Sequence, residues 1–364
     1  MTDPWRAKKV GFVFTGGRKA RQAGIQEFPD DFFYGYTRYA GAKKLIEINE
    51  FKPWQGGLAA LALEKLFLSW HISYGLCRTI LAHQDEFADL DAIVLTTNSH
   101  SDHFSFLKSL GYFSRPALYS IPMGLYARRL PWLARRLWPV FYRRTTLLPI
   151  SRSEEALLKE KLPRSGVHYL PFGVDVDFWT GAAAGASGDY VLSIGNDPQR
   201  DYATLLAAWR PDFPWLKIIT SLPLPGPLPD NVEVIAGDWR QNLLTDQDIR
   251  EYYRGARLVI IPLHDSLQPS GQSAALQAMA CGKAVILTRT SGLWDAESMV
   301  HGEVCYLVEA GRPQALADAV ALLWHNPQET ARLGANARRL VLSRFNSENF
   351  ARQLEAALRP GRQD

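Results

Sequence analysis

Short apolar runs alternate with helix-forming stretches along the whole chain, and this alternation limits the possible folds more than any other feature. Several of the runs are continuously apolar, which is typical of strands covered by helices on both faces. Strand–helix alternation favours parallel sheets of the doubly wound α/β kind. The predicted strands are KKVGFVFTGG, KKLIEI, DAIVLTT, PALYSIP, TTLLPIS and VHYLPFG in the first half, and YVLSIG, LKIITS, VEVIAG, RLVIIPL, AVILTR and VCYLVE in the second.

The length of 364 residues suggests two domains. Between the two sets of strands lies TGAAAGASGD, a small-residue stretch without apolar periodicity that is typical of a linker. We therefore predict a Rossmann-like domain over residues 1–180 and a second one over residues 187–344. The remainder, residues 345–364, contains an amphipathic helix over Asn346–Leu358 that opens with an Asn/Ser cap and is expected to return to the first domain.

Composition excludes several classes of protein. The three cysteines are widely spaced and form no CxxC pair, which argues against a disulfide framework or a zinc site and favours a reducing cytoplasm. A net charge of +4 is too small to predict a nucleic-acid partner. The N-terminus lacks the apolar core of a signal peptide, and the most apolar run, Gly57–Leu76, contains three ionisable side chains. We expect no transmembrane segment.

One loop stands out because polar residues lead directly from a strand into a helix. The strand RLVIIPL is followed by HDSLQPSGQSAALQAMACGK, in which Gly271 permits close backbone approach and Ser270 and Ser273 supply hydroxyl donors. The N-terminus of a helix offers free N–H groups and a partial positive charge, so this loop predicts a diphosphate site. The alternative is an ordinary helix cap.

Four stretches of the chain resemble one family. They are YLPFGVDVDFW, YVLSIGNDPQRDYATLLAAW, RLVIIPLHDSLQPSGQSAALQAMACGKAVILT and SRFNSENFARQLEAAL. Together they are similar to the GT-B glycosyltransferases that carry a Glu-x7-Glu signature, and AMACGK is the sharpest match. The resemblance implies two Rossmann-like domains that face each other across a cleft, a C-terminal helix that crosses back, and a nucleotide-sugar donor on the second domain.

The resemblance also implies which residues hold the donor. The glycine pair after the first strand resembles the family's glycine-rich loop, although it is also a common turn. Arg200 stands one position from the family's diphosphate-binding lysine, the alternative being a surface pair with Asp197 or Asp201. Asp238 follows VEVIAG, where the family contacts the nucleobase. The implied donor residues are Gly16, Gly17, Arg200, Asp238, Ser270, Gly271, Gln272, Ser273 and Gln277.

The chain departs from the family at both signature positions. Gln277 replaces the glutamate that holds the ribose hydroxyls, and an amide can still accept and donate a hydrogen bond there. Pro269 replaces the other glutamate and cannot take its role on the sugar. The candidates to replace it are Asp265, Gln268 and Gln272. The identity of the sugar and the stereochemical outcome are therefore not predicted.

The acceptor side is predicted from the segment TTNSHSDHFSF, which ends the strand DAIVLTT. Ligands bind at the carboxyl ends of strands in open α/β sheets, and an inverting transfer needs a general base. Asp102 is the first candidate, followed by His103 and His100; the alternative is a capping Asp with two surface histidines. A metal site would lack a fourth ligand, so no metal is predicted. Asp31 is expected to line the same acceptor side.

A basic and aromatic segment spans Met123–Thr146. Three arginine pairs recur in it every seven or eight residues among tryptophan, tyrosine and phenylalanine side chains. This composition suits contact with an anionic membrane surface or a lipid-linked acceptor. The alternative is a connecting helix with solvated arginines.

The sequence thus predicts a metal-independent, cytoplasmic glycosyltransferase that moves a sugar from a nucleotide-diphosphate sugar, most simply a UDP-sugar, to an acceptor hydroxyl. No cofactor and no nucleic-acid partner are expected, and contact with the inner face of a membrane is expected through Met123–Thr146. Two alternatives stay open. One is a nucleotide-sugar 2-epimerase, and the other is a non-catalytic subunit that binds a nucleotide sugar.

Overall fold

The computed structural model describes residues 9–24, 28–50, 57–181, 188–237 and 243–359, and the chain divides into two compact units. Unit 1 comprises Met1–Ile25, Phe33–Pro171 and Phe350–Asp364. Unit 2 comprises Gln26–Phe32 and Phe172–Asn349. Neither unit is a continuous stretch of the sequence.

Unit 1 is a five-stranded parallel sheet in the order β2-β1-β3-β4-β5, with helices between the strands. This is the flavodoxin-like strand order, in which β2 is added on one side of β1 and the later strands on the other, so that the order of addition reverses between β1 and β3. The elements are β1 Val10–Phe14, α1 Arg18–Ala23, β2 Lys43–Glu47, α2 Leu58–Leu68, α3 Tyr74–Ala82, β3 Ala92–Leu95, α4 Asn98–Ser109, β4 Ala117–Ser120, α5 Trp132–Phe141, β5 Thr145–Leu147 and α6 Arg152–Lys161.

Unit 2 is a six-stranded parallel sheet in the order β11-β10-β9-β6-β7-β8. Its strands follow the Rossmann order: β7 and β8 are added on one side of β6 and β9 to β11 on the other, so that the order of addition reverses between β6 and β9. The elements are β6 Tyr190–Ile194, α7 Tyr202–Ala208, β7 Trp215–Thr220, β8 Val232–Ala236, α8 Asp246–Gly255, β9 Ala256–Ile261, α9 Gln272–Ala280, β10 Ala284–Arg289, β11 Tyr306–Glu309, α10 Pro313–Trp324 and α11 Pro327–Ser343. The last helix, α12 Ser347–Ala357, begins in unit 2 and ends in unit 1.

The prediction of a doubly wound α/β fold is confirmed, because all six strands predicted in the second half and five of the six in the first are present. The prediction of a strand at VHYLPFG is wrong. Only Val167 pairs, in a single bridge to Leu147, and the chain then passes from unit 1 to unit 2 between Pro171 and Phe172. Pro171 also lacks the N–H that a strand ladder requires.

The C-terminal helix forms as its sequence predicts. The side chain of Asn346 accepts a hydrogen bond from the backbone N–H of Asn349 at 2.8 Å, and α12 follows directly. From Phe350 onward the helix belongs to unit 1, where Leu354 packs against Gly35 and Glu355 accepts from the N–H of Ala40. No helix among the described residues has the length and apolar character needed to cross a membrane.

Candidate functional site

Two loops lie side by side in unit 2, at the point where successive strands begin to be added on the opposite side of β6. The first follows β6 and contains Gly195 and Arg200, and the second follows β9 and contains Ser270 and Gly271. Because β6 and β9 are neighbouring parallel strands, their carboxyl ends open onto the same edge of the sheet. Ligands of doubly wound folds bind at this reversal point, so these loops form the candidate site.

The backbone around Arg200 is fixed to the end of β9. Arg200 and Leu263 form an antiparallel bridge, and the N–H of Asp201 donates to the carbonyl of Pro262 at 3.1 Å. The guanidinium lies against two glycines. A Cβ at Gly195 would overlap it, and a Cβ at Gly271 would lie 2.9 Å from its Nη1. The two glycines therefore make the space that the guanidinium occupies.

Arg200 is a buried charge, and two of its side-chain nitrogens lack hydrogen-bond partners among the described residues. The residue is only 7% exposed, and its Nε and Nη1 find no acceptor among the described residues. Burial lowers the pKa of the guanidinium. A buried, unsatisfied cation costs free energy unless an anion meets it, so this arrangement indicates an anion-binding position.

The N-terminus of α9 lies beside this guanidinium. Gly271 precedes the helix in the left-handed region, at φ 73°, and no side chain caps the helix. The first N–H groups of a helix have no partner inside it and carry a partial positive charge. The hydroxyl of Ser270 is buried and has no hydrogen-bond partner among the described residues. Gln272 is buried and Ser273 is half-buried at the start of the helix.

Further along α9, the side chain of Gln277 is buried and belongs to a network of hydrogen bonds. Its Nε2 donates to Oδ2 of Asp31 at 2.8 Å, and its Oε1 accepts from the hydroxyl of Tyr253 at 3.3 Å. Asp31 Oδ2 also accepts from Nε1 of Trp179 at 2.7 Å, and Oδ1 accepts from the N–H of Asp175 at 2.6 Å. Both ends of the Gln277 amide are therefore engaged within unit 2.

The sequence led us to expect Asp31 on the acceptor side, in the first domain, but the structure assigns Asp31 to unit 2. The segment Gln26–Phe32 belongs to unit 2, where the Asp31 carboxyl is fully enclosed. Burial raises its pKa to about 7, although the hydrogen bonds from Gln277, Asp175 and Trp179 act in the opposite direction. Its hydrogen-bond donors are all neutral, and no cation among the described residues pairs with it.

In unit 1 the glycine pair follows β1 at the corresponding reversal point. Gly17 has φ 86° and precedes α1, and a Cβ at Gly16 or Gly17 would meet no atom within 4 Å. The open space at these glycines is compatible with the approach of a ligand to the backbone. Asp238, the predicted nucleobase contact, lies outside the described residues.

Asp102 lies in α4, which follows β3, and its carboxylate is bound on both oxygens. Arg128 donates to it through Nη1 at 2.9 Å and Nη2 at 3.2 Å, and the hydroxyl of Tyr142 donates to Oδ1. The residue is 2% exposed. Burial is the largest single influence on the pKa of the Arg128 guanidinium and lowers it, but the charge and hydrogen bonds of Asp102, together with Tyr142 and Glu154, raise the pKa overall.

The two histidines of the same helix are also buried. His103 donates from Nδ1 to the carbonyl of Ser99 and accepts at Nε2 from the N–H of Ser73, each at 2.7 Å. His100 donates from Nε2 to the carbonyl of Ile48, and its Nδ1 lies 3.3 Å from the carboxylate of Glu50. Burial lowers the pKa of His103 and lowers that of His100 to about 4. Neither histidine is at the surface, contrary to the alternative interpretation of this segment.

These contacts bring Asp102, His103 and His100 together on one helix, but they hold the three side chains inside unit 1. The catalytic role expected for them stays a prediction, and the geometry gives it no support. No group of three or more His, Cys, Asp or Glu side chains within the described ranges is arranged to hold a metal ion.

Comparisons with known proteins identify a matching family model, related sequences and similar folds. Residues 226–326 match the model of the family described as glycosyl transferases group 1. N-acetyl-alpha-D-glucosaminyl L-malate synthase of Bacillus anthracis is 36% identical over 80 residues, which are 22% of this chain and 20% of that protein. Alpha-maltose-1-phosphate synthase of Mycobacterium tuberculosis is 24% identical over 216 residues, or 51% of this chain and 55% of that protein. The matches thus span from about a fifth to about half of these relatives.

Solved structures match over nearly the whole chain. Sucrose-phosphate synthase from Thermosynechococcus elongatus superposes with a TM-score of 0.72 at 17% identity and covers 96% of this chain and 98% of its own. HepE of Anabaena, solved with UDP-glucose, gives a TM-score of 0.66 at 15% identity and covers 96% and 99%. The fold is GT-B.

Within this GT-B chain, the residues considered as replacements for Pro269 have partners of their own. The Asp265 carboxylate accepts from the N–H and the hydroxyl of Ser291, at 2.6 and 3.1 Å. The amide nitrogen of Gln268 lies 3.5 Å from Asp197. Pro269 is itself buried. None of these contacts identifies a side chain that takes over the sugar-binding role.

Sequence reasoning did not find the pairing of Asp31 with Gln277. The two residues are 246 positions apart, and nothing in the local pattern around either one indicates the other. The available signal was the glutamine itself, because an amide at a signature carboxylate position can donate a hydrogen bond that a carboxylate cannot.

Proposed function

We propose that this protein is a glycosyltransferase that uses a nucleotide-diphosphate sugar, with UDP as the nucleotide. The observation that carries the proposal is the buried guanidinium of Arg200, whose Nε and Nη1 have no acceptor among the described residues. The guanidinium lies against Gly271 at the uncapped start of α9. The group 1 family match over residues 226–326 and the UDP-glucose named for HepE support the same assignment.

A diphosphate fits this position by shape and by charge. The planar guanidinium donates two parallel hydrogen bonds, which suits the paired oxygens of a phosphate group. The N–H groups at the start of α9 and the hydroxyl of Ser270 supply further donors from the neighbouring loop. A compact pyrophosphate bound to the guanidinium can approach the backbone of both loops, because neither Gly195 nor Gly271 adds a side chain of its own beside Arg200.

In the reaction, the acceptor hydroxyl attacks the anomeric carbon of the sugar, and the bond from that carbon to the diphosphate breaks. The nucleoside diphosphate leaves with the bonding electrons, and the acceptor proton passes to a base. Arg200 and the amides of α9 stabilise the negative charge that grows on the departing diphosphate. This stabilisation is strong in a site from which water is excluded.

Other parts of the expected function remain proposals. They are catalysis without a metal ion, a cytoplasmic location with peripheral membrane contact through Met123–Thr146, a donor contact of Gly16 and Gly17, and a base on α4. Asp102→Asn tests the last. A catalytic role predicts lost transfer with normal UDP binding and normal stability, whereas the observed pairing with Arg128 predicts lost stability.

The test of the donor site is calorimetric titration of UDP into wild type and Arg200→Met. Methionine keeps much of the volume and removes the charge. Losing two charge-assisted hydrogen bonds should weaken binding by roughly a hundredfold or more. Arg257→Met is the matched control, because Arg257 lies in the same unit and donates to the carbonyl of Trp324. Unchanged UDP affinity in Arg200→Met would refute the donor site.

A nucleotide-sugar-binding subunit without transferase activity is the second candidate. It is favoured by the internal contacts of Asp102, His103 and His100, which leave α4 without an obvious base. Release of UDP from a panel of UDP-sugars, measured with mixed sugar and lipid acceptors, separates the two candidates. Both predict UDP binding, but only the transferase predicts turnover that depends on an acceptor.

A further inference from the structure

Helix α2 presents an apolar surface to solvent. Leu61, Leu63, Leu66 and Leu68 are each between 39% and 52% exposed. Two charged residues lie among them: Lys65 is exposed, and Glu64 is half-buried and accepts a hydrogen bond from the N–H of Gly75. The helix contacts the rest of unit 1 through Phe67, whose ring packs on Trp70, Tyr74 and Phe106. A helix that is apolar on its outer side is normally covered by something.

The other exposed apolar side chains of unit 1 lie on neighbouring helices. Among the described side chains of this unit, the large hydrophobic residues that are strongly exposed outside α2 are Leu110 and Tyr112, just after α4, and Trp132 and Val140 on α5. Trp132 is 69% exposed. None lies elsewhere in the described part of unit 1, so the strongly exposed large hydrophobic side chains of this unit lie on α2, on α5 and just after α4.

Aromatic contacts show that these three helices are adjacent. The ring of Phe67 on α2 lies 5.6 Å from that of Phe106 on α4, which lies 5.1 Å from that of Phe141 on α5. His71, just after α2, lies 6.1 Å from Trp138 on α5. The exposed leucines and Trp132 therefore belong to one region of unit 1, which we name the apolar–basic surface.

Arginines provide the basic part of this surface. On α5, Trp132, Arg136 and Val140 follow one another at intervals of four residues and share the exposed side, whereas Ala134, Trp138 and Phe141 are buried.

Arg129, Arg135, Arg143 and Arg144 are exposed in the same segment. Together with Arg136 they form no ion pair with any described residue, whereas Arg128 is paired with Asp102. The surface thus combines unneutralised positive charge with uncovered apolar side chains.

We propose that the apolar–basic surface binds a lipid bilayer that contains anionic headgroups. The leucines of α2 and Trp132 enter the interface between headgroups and acyl chains, and the arginines of α5 contact the lipid phosphates. This proposal reaches beyond the expectation for Met123–Thr146, because it assigns the apolar contact to α2, a separate part of the sequence. It does not depend on the donor site of unit 2.

A second copy of the chain is a poorer occupant of this surface. In a symmetric dimer the same patch meets itself, so the arginines of one copy would face those of the other. Like charges across an interface are unfavourable. An anionic bilayer instead neutralises the arginines, and each charge near its surface contributes about 1 kcal/mol to binding. The same bilayer buries the leucines between its headgroups and acyl chains.

The experiment is co-sedimentation with vesicles of phosphatidylcholine and phosphatidylglycerol, compared with vesicles of phosphatidylcholine alone. Wild type should bind the anionic vesicles, and less at high salt. Arg135→Gln/Arg136→Gln should lower the partition coefficient by roughly thirtyfold, since each charge contributes about fivefold. Leu66→Gln/Leu68→Gln should lower it by about tenfold or more.

The matched control is Leu322→Gln/Arg312→Gln, which changes an exposed leucine and an exposed arginine of unit 2 and should bind as wild type does. Circular dichroism melting verifies that each variant is folded. Absence of binding by wild type, or equal binding by all variants, would overturn the proposal. So would a dimer in light scattering that the α2 variant dissociates, because a second copy would then cover the surface.

Discussion

Each unit contains an arginine largely withdrawn from solvent, and the two differ in their partners. Arg128 of unit 1 meets the Asp102 carboxylate with two nitrogens and lies over the ring of Trp138. Arg200 of unit 2 is more deeply buried, and neither its Nε nor its Nη1 has an acceptor among the described residues. The pKa of Arg128 is raised and that of Arg200 is lowered.

The comparison distinguishes two roles for a buried arginine: Arg128 stabilises the folded structure through an ion pair, whereas we propose that Arg200 binds a ligand. Removing a satisfied partner strands the other charge, whereas removing an unsatisfied charge relieves a desolvation cost. A stability measurement can therefore distinguish the two roles without knowledge of the substrate.

Arg128→Met should destabilise the protein by about 3–5 kcal/mol, because it leaves the Asp102 carboxylate buried with only the Tyr142 hydroxyl as a donor. Urea unfolding measures the loss. The double variant Arg128→Met/Asp102→Leu should recover a large part of it. A single variant as stable as wild type would mean that the ion pair contributes nothing and would remove the contrast.

The Asp31 carboxyl extends the comparison to acids, since it has neutral donors where Asp102 has an arginine. Its folded-state pKa of about 7 lies above the ordinary value of 3.8, so the folded state binds the proton more tightly. Stability should therefore fall as the pH rises from about 4 to 7, by up to about 1.4 kcal/mol per pH unit. Asp31→Asn should remove this slope, whatever its effect on absolute stability. Identical slopes in both proteins would contradict the assignment.

Arg200→Met should stabilise the ligand-free protein by about 1–3 kcal/mol while it weakens UDP binding by roughly a hundredfold or more. This is the opposite of the effect at Arg128 and is measured by the same urea titration. Addition of UDP should raise the unfolding midpoint of wild type and leave that of the variant unchanged. A destabilised Arg200→Met would indicate that the guanidinium has a structural role instead.

The smallest effects concern hydroxyls near the starts of α4 and α9. Thr97 caps α4 by accepting from the N–H of His100, so Thr97→Ala should cost about 1 kcal/mol. Ser270 Oγ has no partner among the described residues, so Ser270→Ala should change stability by less than about 0.5 kcal/mol. Its UDP affinity should nevertheless fall severalfold. Equal losses of stability would show that the two hydroxyls have the same role.

The strands of unit 2 were predictable because each is a compact apolar run between helices, as in RLVIIPL and AVILTR. The loop before α9 was also readable, since a strand, a glycine and a helix follow in order along the sequence. VHYLPFG was misread because its apolar residues pack where the chain changes units, which local composition does not reveal.

The surroundings of the charged residues could not be predicted. Asp102 pairs with Arg128 across 26 positions and with Tyr142 across 40, and His103 accepts from a backbone N–H 30 positions away. A histidine or aspartate at the end of a strand has the same local sequence whether it faces a substrate or the interior. Only the tertiary contacts decide between the two.

The assignment of Gln26–Phe32 to unit 2 bears on the construction of chimeric proteins. A hybrid that joined residues 172–349 to the first half of a relative would come without Asp31. Its Gln277 amide and Trp179 indole would then lose the oxygen that both now donate to. Exchange of halves between proteins of this fold should succeed only when this short N-terminal piece is exchanged together with the C-terminal half.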